Sequence, residues 1–373
     1  MTEPTFPPTD APSPRPGGGA GYLRIATEEA FATPEIIAIW LDMIEAGYDD
    51  PGFRSLWGFY GKAAAERPRF ILRALQDLGD RRIADMDAAG VDRQIISMTA
   101  PGVQVLDKDL AVAQAALAND RLAQACADHP DRFSGLTAIA PQAPGRAAAE
   151  IERGRNKLGF HGVIINSHTG GEYLDDPRFW DIFEAAQALD TPVYLHPNSP
   201  PKAMIQPLLD AGLDGAIWGF AVETGTHVLR LVTSGVFDRF PRLKLVVGHL
   251  GEALPFWLYR LDYMHAATVR AGRYESMRPL ELTPSEYLRR YVWVTTSGMA
   301  WAPAIMFCRQ VLGADRVLYA MDYPYEYVTD EVRWQDDLPL TTAEKKQFFQ
   351  ANAERVFGRS SCQRTSSVTY SYG

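Results

Sequence analysis

Four side chains that can bind a metal ion stand at the ends of apolar, strand-like runs. Glu28 follows Leu23-Arg-Ile-Ala-Thr27, and His196 closes Pro192-Val-Tyr-Leu-His196. His249 follows Leu243-Lys-Leu-Val-Val-Gly248, and Asp322 closes Arg316-Val-Leu-Tyr-Ala-Met-Asp322. Two carboxylates and one imidazole neutralise a divalent cation and leave positions open to water or substrate, as a catalytic metal requires. Oxygen ligands with one nitrogen fit manganese or zinc, and their hardness favours Mn2+ over Zn2+. Glu28, His196 and Asp322 are therefore the predicted ligands of one divalent ion, against the alternative of an ion-pair cluster with arginines. Glu29 adjoins Glu28, and successive strand residues point to opposite faces. If the strand runs through both, one carboxylate faces the centre and the other must pair elsewhere. Glu252 lies three residues after His249, within reach of its second ring nitrogen. That pair reads as an acid–base group, a substrate contact or a further ligand. A hydrogen bond at a helix start is the plainer alternative, since the macrodipole favours a carboxylate there.

These residues need a frame that brings strand ends together. Candidate strands cover Leu23–Thr27, Gln94–Met98, Phe133–Ala138, Gly162–Asn166, Pro192–Leu195, Leu243–Val247, Val292–Thr295 and Val317–Ala320. Helical patterns intervene at Ile71–Ala89, Leu110–Asp128, Ala147–Leu158, Pro177–Leu189, Thr224–Phe237, Ala253–Ala271 and Ala302–Leu312. Eight strands with seven helical stretches between them predict an α/β fold, a closed (β/α)8 TIM-like barrel with its active site at the strands' C-terminal ends. Strands one and eight are neighbours in a closed barrel, so Glu28 and Asp322 converge. Aromatic stretches at 47–70 and 198–222 read as long loops after strands one and five, serving as lids or subunit contacts.

The barrel domain is expected over residues 21–358. Residues 1–20 hold six prolines and a Gly17-Gly18-Gly19 run, and residues 359–373 are rich in Ser and Thr; both are expected to be disordered tails. A formal net charge of −9 argues against non-specific nucleic-acid binding. Cys126, Cys308 and Cys362 form no C-x-x-C motif and suggest a reducing compartment. Without a signal-like or membrane-spanning stretch, a cytoplasmic location is expected. His168 is expected on a loop, and His129, His161, His227 and His265 are assigned no chemistry.

Four motifs, in order, carry a resemblance: Ala26-Thr-Glu-Glu-Ala-Phe31, Tyr194-Leu-His-Pro197, Gly248-His-Leu-Gly-Glu252 and Met321-Asp-Tyr-Pro-Tyr325. Over residues 21–358 the chain resembles the amidohydrolase superfamily, in its branch of metal-dependent aromatic-acid decarboxylases. Trp57-Gly-Phe-Tyr60, Val222-Glu-Thr-Gly225 and Phe256-Trp-Leu-Tyr-Arg-Leu-Asp-Tyr-Met264 make it most similar to the 5-carboxyvanillate decarboxylase subgroup. The superfamily's His-x-His on strand one and its bridging lysine on strand four are both absent, which argues against a two-metal hydrolase.

The resemblance implies a mononuclear site, usually manganese, held by Glu28, His196 and Asp322. It implies non-oxidative decarboxylation of an ortho-hydroxylated aromatic acid, 5-carboxyvanillate to vanillate and CO2, in lignin-derived aromatic catabolism. Asp322 would carry the proton to the ring carbon, supported by His249 and Glu252. Arg67, Arg260 and Tyr325 would bind polar substrate groups, with Thr99 and Phe220 walling the ring. One arginine would cross from a neighbouring subunit of a homodimer or higher homo-oligomer. The competing expectations are a metal-dependent hydrolase of an aromatic-derived lactone and a non-catalytic barrel that binds aromatic acids.

Overall fold

The computed structural model describes residues 21–62 and 64–358. The two predicted tails, with Cys362, lie outside the described residues. The strands are β1 (Ile25–Phe31), β2 (Arg93–Met98), β3 (Phe133–Gly135), β4 (Thr137–Ala138), β5 (Val163–Asn166), β6 (Val193–His196), β7 (Leu245–Val247), β8 (Val292–Thr295) and β9 (Val317–Leu318). Neighbouring strands pair in parallel, in the orders β1-β2-β3 and β4-β5-β6-β7-β8-β9. β3 and β4 form one stave interrupted at Leu136, whose N–H still donates to the Ile96 carbonyl of β2 at 2.9 Å. The ring closes where Thr27 N–H donates to Tyr319 O at 3.1 Å and Ala30 N–H to Tyr323 O at 2.7 Å. The result is the expected eight-stave barrel.

The strands are apolar on both faces because helices cover the outside. Val163 and Ile165 on one face and Ile164 on the other are buried, as are Leu245 and Val247 with Val246 between them. Helices such as Lys108–Asp128 and Ala302–Leu312 fall close to where periodicity placed them.

Four expectations need correction. β1 does not stop at Thr27 but continues through both glutamates to Phe31, with a register shift between Ala26 and Glu29. The stretch 47–70 is not an open loop: it folds into the helix Pro51–Lys62 and the start of Glu66–Leu75. Its glycines lower helix propensity, but burying Trp57 against Trp40 (ring centroids 4.3 Å apart) outweighs that cost. Likewise, 198–222 contains the helix Lys202–Leu209 and the first residues of Gly219–Ser234. These two excursions meet at Gly52, where a Cβ would stand 2.6 Å from that of Ser199. The single helix expected over Ile71–Ala89 is two, Glu66–Leu75 and Asp80–Ala89, interrupted before Gly79.

Candidate metal centre and active-site cavity

Glu28 lies within β1, not at its end, and its side chain is buried at the barrel mouth. One oxygen, Oε2, accepts hydrogen bonds from the hydroxyls of Tyr194, Thr295 (2.6 Å) and Ser297. The other, Oε1, is buried and has no hydrogen-bond partner. It faces His196 Nε2 at 3.5 Å. His196 Nδ1 lies 2.8 Å from the Pro197 carbonyl, which can only accept. That assigns the ring proton to Nδ1 and leaves a lone pair on Nε2. One oxygen of Asp322 completes the set: ligand atoms of Glu28, His196 and Asp322 all lie within 4.8 Å of one another.

An orphaned carboxylate oxygen, a free imidazole lone pair and a second carboxylate around one point fit a divalent cation. The backbone supports this fit. A Cβ on Gly248 would stand 2.7 Å from Glu28 Oε1, so glycine keeps that approach open. Burial alone would raise the Glu28 carboxyl; the neighbouring His249 above all, then His196 and the Ser297 and Thr295 hydroxyls, outweigh it and hold it low.

His249 Nε2 stands 3.6 Å from Asp322 Oδ2 and 3.9 Å from Glu28 Oε1, while Nδ1 pairs with Glu252 Oε1 at 2.7 Å. Burial acts to lower its proton affinity, but Glu252 and Glu28 prevail and the imidazole is held well above its ordinary value. The expected helix start here is instead a left-handed turn. His249, Leu250, Gly251, Glu252 and Ala253 all have positive φ, between 48° and 81°. Four of these are not glycine, at a cost of roughly 1–2 kcal/mol each. The turn is held by Gly251 N–H to Gly248 O (2.7 Å) and by Ser297 Oγ accepting from His249 N–H (3.0 Å). It brings Glu252 back beneath the ring it orients. Ala253 is exposed and has no side-chain role in the turn, so Ala253→Gly is expected to stabilise the protein by about 1 kcal/mol. The check is the denaturant midpoint at constant slope, and a loss of stability would contradict the strain argument.

His249, Glu252 and Asp322 open into a cavity of about 630 Å³ whose other walls include Phe220, Trp218 and Trp301. The Tyr325 hydroxyl and Thr99 Oγ1 bond to each other at 2.7 Å. Arg67 is exposed and donates to the Tyr325 carbonyl, three residues after Asp322. Arg260 is not at this cavity in its own chain. It is exposed on the helix Leu254–Ala271, 5.9 Å from the Trp257 ring centroid, and lines a separate groove with Met264 and His265.

Sequence reasoning missed the hydroxyls that hold Glu28. Tyr194 lies two residues before His196, and Thr295 two before Ser297, so strand alternation alone places each pair on one face. It also missed a role for His227. Its Nδ1 lies 2.9 Å from Ser167 Oγ, which donates to Glu223 at 2.8 Å, in a fully buried cluster that anchors the turn after β5. His168 Nε2 meets the Ser199 carbonyl at 2.9 Å, as a loop residue bracing the segment after His196.

The fold and site define a (β/α)8 barrel with a candidate metal centre at its mouth and an apolar cavity beside it. Residues 72–359 match the Amidohydrolase family model, and the chain belongs to that family. It is 57% identical to a 5-carboxyvanillate decarboxylase structure from Novosphingobium aromaticivorans, complexed with manganese and 4-hydroxy-3-methoxy-5-nitrobenzoic acid; the match covers 94% of this chain and 99% of that one, with a TM-score of 0.92. A 5-carboxyvanillate decarboxylase structure from Sphingomonas paucimobilis is 39% identical, covering 90% and 99% of the two chains, with a TM-score of 0.85. A gamma-resorcylate decarboxylase from Polaromonas sp. is 34% identical over 347 residues, 90% of this chain and 98% of that protein.

Proposed function

We propose that this protein is a manganese-dependent carboxy-lyase that converts 5-carboxyvanillate to vanillate and CO2. The convergence of Glu28, His196 and Asp322 beside an aromatic-sized apolar cavity carries the reading. The similarity to decarboxylases that bind manganese and a substituted hydroxybenzoate supports it. A bound divalent ion supplies a Lewis acid for the substrate's phenolate and carboxylate oxygens. The protein's own residues do the rest. Apolar walls, Phe220 and Trp218 among them, hold the ring and exclude water. Asp322 delivers a proton to the ring carbon that bears the leaving carboxylate. The carbon–carbon bond then breaks, its electron pair returns to the ring, and CO2 departs. His249, oriented by Glu252 and 3.6 Å from Asp322, is placed to restore that proton. Thr99 and Tyr325 position polar substituents, and Arg67 faces the second carboxylate.

The working form is a homodimer or larger assembly in the cytoplasm, serving catabolism of lignin-derived aromatics. An exposed strip on the helix Leu254–Ala271 supports assembly: Phe256, Trp257, Tyr259 and Tyr263 are too much aromatic surface for an isolated chain. Arg260 lies among them and would reach a second carboxylate only across a subunit boundary. No helix among the described residues is long and apolar enough to cross a membrane.

Arg260→Ala is expected to raise KM for 5-carboxyvanillate by about 10–100-fold, the scale of one lost charge-assisted contact, and to change KM for a monocarboxylated analogue far less. Equal effects on both substrates would deny Arg260 that contact.

A further inference from the structure

Glu29 is the twin of the ligand Glu28, yet it has no place in the chemistry proposed above. It is completely buried. The register shift in β1 leaves Glu28 facing the barrel mouth while Glu29 reaches the chain that follows β9. There its two oxygens accept from two backbone amides: Met321 N–H to Oε1 at 3.0 Å and Tyr323 N–H to Oε2 at 3.3 Å. Those amides flank Asp322, whose φ is 64°. An aspartate tolerates that left-handed conformation only at a cost, so something must hold it there. One carboxylate bridging the amides on either side does so.

The clamp is itself anchored. Gln94 Nε2 donates to Glu29 Oε2 at 3.2 Å, and Gln94 Oε1 accepts from Arg82 Nη1 at 3.1 Å. Arg82 is fully buried, donates to Ala30 O at 2.6 Å, and lies 4.6 Å from the Tyr323 ring centroid. Arg82, Gln94 and Glu29 therefore tie β1, β2 and the helix Asp80–Ala89 to the backbone on both sides of Asp322. Main-chain direction fixes where a short side chain such as aspartate can place its oxygens.

We infer that Glu29 is a positioning residue: it sets the backbone at Asp322 so that the Asp322 carboxylate meets the same point as Glu28 and His196. The paired glutamates then divide the work, one holding the ion and the other holding the residue that completes its site. This rests on the metal site proposed above, but not on the identity of the substrate.

The test is calorimetric titration of the full-length metal-free protein with Mn2+ alone, comparing wild type, Glu29→Gln and Glu29→Asp. Glutamine keeps the size but turns an N–H2 group toward a backbone N–H. Its Mn2+ affinity is expected to fall about 10–100-fold, the usual effect of losing a group that orients a ligand. At saturating Mn2+, kcat should fall while KM for 5-carboxyvanillate stays within about twofold. Glu29→Asp keeps both acceptors and should recover part of the affinity. A Glu29→Gln protein that keeps its circular dichroism and binds Mn2+ like wild type would overturn the inference. If Glu29→Gln does not fold, Gln94→Met carries the test, since it removes the donor that fixes Glu29 Oε2 and so loosens the contact of that oxygen with Tyr323 N–H. A loss of about three- to tenfold in Mn2+ affinity is then expected, and unchanged affinity overturns the inference. A wild type that binds Mn2+ without releasing CO2 would sink the proposed reaction and leave this inference standing.

Discussion

Asp322→Asn is expected to abolish decarboxylation while leaving the protein folded. Asparagine is nearly isosteric and tolerates positive φ as well as aspartate does, so the 64° backbone at this position is preserved. The amides of Met321 and Tyr323 bind Glu29, not the Asp322 side chain, and they survive the change. What is lost is a group that can carry a proton and a negative charge on the ion. A positioned proton donor contributes about 10²–10⁴-fold, and the lost ligand charge adds to that. Turnover measured by CO2 release should drop at least to the bottom of that range. Retained turnover in the asparagine variant would remove Asp322 as the proton carrier and shift the role to His249, 3.6 Å away.

Glu28→Gln is expected to empty the metal site. Glu28 Oε2 accepts from three hydroxyls and Oε1 is left for the ion. An amide must turn its N–H2 either onto those donors or onto the cation, and both choices are unfavourable. Because Glu28 is itself a proposed ligand, Mn2+ affinity should fall by more than the ~10–100-fold that follows from losing a supporting group. Metal content after dialysis, measured by elemental analysis, gives the result directly. Full occupancy of the glutamine variant would show that the ion sits elsewhere.

The barrel was legible because its signal is redundant. Eight apolar runs alternate with helical patterns, and each stave is short, buried and bounded by turn residues. Glu28, His196 and Asp322 stood out because titratable residues at the ends of such runs have few other reasons to be there. Where β1 ends was not legible: two adjacent glutamates read as a strand's finish, since nothing local shows that Gln94 and two distant amides wait for Glu29. The left-handed turn at 249–253 was hidden for a related reason. Only Gly251 advertises positive φ, and the other four residues are forced into it by tertiary contacts. The helix Pro51–Lys62 was masked by Gly52, Gly58 and Gly61, whose low propensity is overridden by burial of Phe53 and Trp57. The position of Arg260 was not legible either, because nothing local shows that the helix Leu254–Ala271 turns it away from the cavity of its own chain.

These cases share a cause. Residues whose geometry is fixed by neighbours in sequence were readable, and those fixed by partners across the barrel were not. Tyr194, Thr295 and Ser297 fall between: alternation places them inward, but a hydroxyl announces no chemistry until the carboxylate it holds is seen beside it.

Metal-dependent decarboxylation is read out by incubating the manganese-loaded protein with 5-carboxyvanillate and following both products. Vanillate and CO2 are expected in equal amounts, dependent on the metal and lost on chelation. A fully loaded protein that releases no CO2, and instead opens an aromatic lactone, would contradict the proposed reaction.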